Sequence, residues 1–164
     1  MRSAVLRYCS TSVRPLLRVR IVSNLEFEYL AELRLMVSYQ GATNASDSAW
    51  DAYLTELRQA FQSGGLSRSL VVTEGAFPTR CQQSRMTSVV GGRAPRVAVI
   101  SSSARLRFVV SMLALLNKNV DCFDPKQGKA AFSHLDLSPS QQALAEATIE
   151  RLRRRMTLAS TTAA

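Results

Sequence analysis

The chain has little of what catalytic and metal sites are usually built from. It holds one histidine, His134, and three cysteines, Cys9, Cys81 and Cys122, which lie far apart and show neither a Cys-x-x-Cys nor a Cys/His spacing of the kind that wraps zinc. An odd cysteine count argues against a disulfide framework and reads as free thiols in a reducing compartment. Nowhere in the 164 residues do 18 apolar residues run together, so no membrane span is expected. The serine loop Ser101-Ser102-Ser103 has no glycine, which excludes a close backbone cradle of the P-loop or dinucleotide type. The expected catalytic, cofactor-binding and metal-ligating residues are therefore none.

What is present is one domain's worth of core. At 18.0 kDa and 46% hydrophobic the chain has the content of a single globular domain. Its formal charge of +9 is concentrated at the ends. Residues 1–24 carry Arg2, Arg7, Arg14, Arg18 and Arg20 with no acid, and Arg151, Arg153, Arg154 and Arg155 crowd the far end. Three readings of residues 1–24 stand side by side: an organellar transit peptide, a disordered basic arm for acidic partners, or an extension before a start near Val22. The expected location is the bacterial cytoplasm, or an organelle if the transit-peptide reading holds.

Short β-branched runs, Ser69–Thr73, Arg96–Ile100 and Val120–Phe123, alternate with helix-period segments about 25 residues apart. This predicts an α/β fold with a mixed, mostly parallel sheet of four to five strands and helices packed on it. Before it, alternation through Leu25, Phe27, Tyr29, Leu33, Leu35, Val37 and Tyr39 predicts two strands with a turn near Leu30–Glu32. Trp50, Tyr53, Leu54, Leu57 and Phe61 share one face of a helix capped within Ser46–Ser48, with Ser48 and Asp51 as a capping-box pair, and stopped by Gly64-Gly65. A second helix is capped by Thr79 with Gln82. A third, Ala104–Asn117, is so apolar that it is expected to be the most buried. Pro125 opens a short helix to Leu135, and Ser138-Pro139 with Gln141 opens the last. The boundaries expected are a basic extension at 1–24, the α/β domain at 25–137, a C-terminal amphipathic helix at 138–156 and a disordered tail at 157–164.

This element order, with the segments Leu70-Val71-Val72-Thr73-Glu74-Gly75, Arg96-Val97-Ala98-Val99-Ile100-Ser101 and Val120-Asp121-Cys122-Phe123, resembles the STAS domain of anti-sigma factor antagonists and sulphate-transporter cytoplasmic domains. The resemblance covers roughly Leu25 to Leu135 and includes bacterial members of that superfamily. It implies a regulatory domain whose serine, in an Asp-Ser-Gly-like sequence at a helix start, is phosphorylated by a kinase partner so that the complex breaks. The corresponding loop here, Phe77-Pro78-Thr79-Arg80-Cys81, has no Asp-Ser pair, and Thr79 is the hydroxyl at that place. The alternative is that Thr79 only caps its helix.

Two loops stand out as interaction candidates: Phe77, Thr79, Arg80 and Gln83 in one, and Ser101, Ser102, Ser103 and Arg105, where a strand end opens a helix, in the other. The second either holds an anion or supplies only a helix cap. His134 reads as a surface or capping residue, and Glu26, Glu28 and Glu32 as a solvated face. The expected function is a non-enzymatic regulatory or scaffolding domain that binds another protein, such as a kinase or regulatory factor. One alternative is a small anionic-ligand binder with a pocket lined by Glu74, Ser101 and Asp124. Another is association with nucleic acid through the two basic ends. No cofactor is expected, and the oligomeric state is left open.

Overall fold

The computed structural model describes residues 24–63, 65–114 and 117–161; the basic extension at 1–24 lies outside these except for Asn24. The strands are β1 (Leu25–Leu30), β2 (Leu35–Gln40), β3 (Arg68–Thr73), β4 (Arg96–Ser101) and β5 (Val120–Phe123). The helices are α1 (Asp47–Ser63), α2 (Arg80–Val90), α3 (Ala104–Ala114), α4 (Gly128–His134) and α5 (Pro139–Thr161). The β-branched runs thus became strands to within a residue of their expected ends.

The strands lie in chain order across one sheet, with β1 antiparallel to β2 and every later pair parallel. Each parallel pair needs a crossover, and right-handed crossovers stepping one way put their helices on one face. The buried clusters follow that rule. α1, α2 and α3 pack on what we call the crossover face, and α4 and α5, which follow the last strand, cover the closing face.

On the closing face Leu35, Val37, Tyr39, Leu70, Ala98, Ile100 and Phe123 meet Phe132 and Leu135 of α4 and Ala145, Leu152 and Met156 of α5 in one continuous core. On the crossover face the core is split. Leu25 and Met36 pack under Trp50, Tyr53, Leu54 and Leu57 of α1, while Val99 packs under Leu106 and Val110 of α3. Leu25, Phe27 and Tyr29 of β1 face the crossover side, whereas Leu35, Val37 and Tyr39 of β2 face the closing side. A 3-10 turn at Ala31–Leu33, closed by Arg34 at φ 50°, sets a register that places Leu25 opposite Gln40. All six residues of β2 are buried in consequence, between two neighbours and beneath helices on both sides.

Four expectations need correcting. α3 is not the most buried helix: Phe108, Val109 and Met112 are exposed, because an 11-residue helix turns only one stripe to the sheet and no described element covers the other. The hydroxyl at the start of α1 is that of Ser46, which accepts from the Ala49 N–H at 3.3 Å, rather than Ser48 of the Ser48/Asp51 pair. Glu28 does not face open solvent, since pairing with Val37 puts it on the closing face, where Arg151 of α5 grips it through both carboxylate oxygens at 3.2 and 2.7 Å. α5 runs on through the segment expected as a tail as far as Thr161, with the Thr157 hydroxyl bonded back to the Arg153 carbonyl.

Candidate functional site

Because three strands run parallel behind β2, their C-terminal ends gather the connecting loops at one edge, where open α/β sheets bind ligands. The two candidate loops meet there. Phe77 of the β3–α2 loop and Ser103, Arg105, Leu106 and Val109 at the start of α3 line one cavity of about 260 Å³. Thr79, Arg80 and Gln83 do not line it; they open α2. The Thr79 hydroxyl accepts from the Gln82 N–H at 3.3 Å while the Gln82 amide oxygen accepts from the Thr79 N–H at 3.0 Å, the capping box expected from sequence. Thr79 is nonetheless exposed. At the other loop the Ser103 hydroxyl accepts from the Leu106 N–H and caps α3, and Ser101 is buried at 1% exposure. Ser102 is exposed.

Two features of this edge were not legible in the sequence. The first is the position of α2. Its Arg85 is paired with Asp47 and Asp51 of α1, its Gln82 carbonyl accepts from the Trp50 indole at 3.1 Å, and the Gln82 amide reaches the Ala45 carbonyl at 3.1 Å. These bonds draw α2 onto α1 rather than onto the sheet. The gap left below it is a cavity of about 150 Å³, lined by Trp50, Tyr53, Met86, Phe77 and Val71, Val97 and Val99 of the strands. Burial raises the Tyr53 hydroxyl to about 12, although its bond to Ser69 works the other way.

The second is the stripe on α3. Arg105, Phe108, Val109 and Met112 recur at i, i+3, i+4 and i+7 and all point outward, with Phe108 69% and Met112 51% exposed. The 3.6-residue period was readable, but a helix this apolar on both sides does not declare which stripe faces the sheet. Arg105 makes no ion pair among the described residues, whereas Arg107, half-buried, is held by the Asp124 carboxylate at 3.2 Å and donates to the Ser101 carbonyl at 2.7 Å.

The pocket expected from Glu74, Ser101 and Asp124 does not assemble. Glu74 is turned to the closing face, where it accepts from the Tyr39 hydroxyl at 2.7 Å, and Asp124 serves Arg107 and the Lys126 N–H. Burial, then that bond and the Glu74 charge, push the Tyr39 hydroxyl up to about 12. His134 lies at the end of α4 with its ring tilted against Phe123. Of the C-terminal arginines, Arg151 and Arg155 converge on Glu28 and Arg154 pairs with Glu150. Two carboxylates thus meet four arginines, which offsets half of the charge of the cluster in place.

Among the described residues no cluster of histidine, cysteine or carboxylate side chains has the arrangement of a metal site, and no helix is long and apolar enough to cross a membrane. Compared with known protein families, with curated proteins and with solved structures, the chain matches none.

Proposed function

We propose that this protein is a regulatory or scaffolding domain that works without chemistry of its own, by docking an acidic amphipathic helix of another protein along α3. The observation that carries the reading is the exposed stripe of Phe108, Val109 and Met112. Contiguous apolar surface of this kind on a small domain marks an interaction site, and anchors at i, i+3, i+4 and i+7 suit a partner helix laid alongside. The charge selects the partner. With Arg107 held by Asp124, the stripe presents the exposed cation Arg105 and no carboxylate of α3, so a second copy of the chain would oppose like charges, whereas a helix flanked by Glu or Asp would complement Arg105. The chain-order sheet with one antiparallel leading strand is consistent with the element order on which the STAS-like reading rests.

The test is binding of a labelled synthetic helix, with leucine at i, i+3, i+4 and i+7 and glutamate on its flanks, followed by anisotropy. Phe108→Asp with Met112→Asp should reduce its affinity by at least about tenfold, the scale of losing two interface anchors, and leave melting unchanged. A lysine-flanked version of the helix should bind more weakly and lose its disadvantage as salt rises. Equal binding of both helices, or binding indifferent to the Asp pair, removes α3 from the account.

A further inference from the structure

α1 and α2 lie side by side and point the same way. Gln82 near the start of α2 reaches the Ala45 carbonyl and Asp47 at the start of α1, while Arg93, just past the end of α2, lies over the Phe61 ring near the end of α1 at 5.1 Å. An open cleft of about 600 Å³ runs along the seam, within the range of small-molecule sites. Buried Leu54 and half-buried Phe61 and Val89 give it an apolar lining, and three arginines, Arg58, Arg85 and Arg93, face one carboxylate, Asp51. That carboxylate is already committed to Arg85, as is Asp47. Arg58 and Arg93 are exposed and make no ion pair among the described residues. Both reach the cleft at its Phe61 end: Phe61 stands three residues after Arg58 on the same face of α1, and its ring carries Arg93. Offsetting the α1 dipole does not account for Arg58, which lies before the last turn of that helix.

We propose that this cleft binds a small organic phosphate, with the phosphate on Arg58 and Arg93 and the apolar part of the molecule on Leu54 and Val89. Guanidinium groups bind phosphate oxygens through paired N–H donors, and two of them held by no carboxylate leave a charge that a phosphate neutralises. A phosphate by itself fills only part of 600 Å³, and the apolar lining calls for an organic body beside it. The site goes beyond the docking reading and is independent of it, because no residue of α3 lines the cleft.

Adenosine diphosphate serves as the probe, with pyrophosphate as its charged group alone and adenosine as its body alone. Calorimetric titration of the full chain at moderate salt should show saturable binding of the diphosphate, weaker binding of pyrophosphate and none of adenosine. Arg58→Gln and Arg93→Gln should each weaken the diphosphate about tenfold, the low end for losing a hydrogen bond to a charged group. Gln62→Glu should do the same without disturbing the core, since this exposed position lines the cleft and sets a carboxylate one turn from Arg58. Phe108→Asp with Met112→Asp should leave the titration unchanged, which separates this site from helix docking. No saturable binding at millimolar diphosphate, pyrophosphate or adenosine binding as tightly as the diphosphate, or affinity unchanged by Arg58→Gln, Arg93→Gln or Gln62→Glu would overturn the proposal. So would tighter binding of a thymidine oligonucleotide than of the diphosphate, which would make these arginines part of a surface for nucleic-acid backbone.

Discussion

The two faces of the sheet are built from the same strands and end up packed to different standards. On the closing face α4 and α5 join Leu35, Leu70, Leu135 and Leu152, each at 0% exposure, in a single core, and the Arg151–Glu28 pair straps α5 to β1. On the crossover face the apolar residues fall into two clusters with a cavity between them, the Ser38 hydroxyl is buried without a partner, and α3 keeps an apolar stripe outside. The difference has a topological origin. Helices that serve as crossovers are tied at both ends to neighbouring strands, so their placement is set by the connection, whereas α4 and α5 follow the last strand and are free to settle where apolar surface is largest. The continuous core lies on the closing face, and the candidate docking surface on the crossover face.

The sharpest way to break the comparison is to delete the same kind of side chain on each side. Leu152→Ala should cost about 3–5 kcal/mol, as a fully buried leucine in a dense core does. Met86→Ala, which enlarges a cavity already present beneath a half-buried helix, should cost about 1 kcal/mol or less. Chemical denaturation of both variants, compared at equal slope, measures the gap. Comparable losses would mean that the cavity closes in solution.

Alkali attacks both faces through one residue each. Tyr39 on the closing face and Tyr53 on the crossover face hold their protons up to about 12 in the fold, against about 10 in the unfolded chain. Between those values the unfolded state has lost a proton that the native state keeps. Stability is therefore full below pH 10 and falls as pH rises towards 12, by up to about 1.4 kcal/mol per unit for each tyrosine. Tyr39→Phe and Tyr53→Phe should each flatten part of that slope in melts recorded from pH 8 to 12. A slope untouched by both substitutions would place the sensitivity elsewhere.

How much of this was legible in sequence follows the same division. The β3, β4 and β5 runs, the Thr79–Gln82 capping box and the Ser138–Gln141 pair are local signals, carried within a few residues, and they stand in the structure where the sequence put them. The meeting of Phe77 with Ser103 and Arg105 followed from strand order. What was hidden depends on partners far along the chain. Glu28 finds Arg151 across 123 positions and Arg85 finds Asp47 and Asp51 across more than thirty, and those pairings tie α5 to β1 on one face and α2 to α1 on the other. α3 misled because its composition is apolar all round, and composition does not say which stripe is covered.

The smallest expected effect discriminates between the two roles of Thr79. As a cap alone, Thr79→Ala should loosen the start of α2 by about 1 kcal/mol, seen as faster amide exchange at Arg80–Gln83, and Thr79→Asp should restore it, since Asp caps equally well. As a switch, an added charge matters for a different reason. Phosphothreonine brings about −1.5 to −2 charges, which the helix N-terminus tolerates but which a docking face that selects acidic partners through Arg105 does not. Thr79→Asp should then keep α2 ordered yet weaken the glutamate-flanked helix relative to the lysine-flanked one, a split that a pure cap does not produce. Restored exchange protection with unchanged helix preference would leave Thr79 as a capping residue, and the α3 stripe would carry the interaction alone.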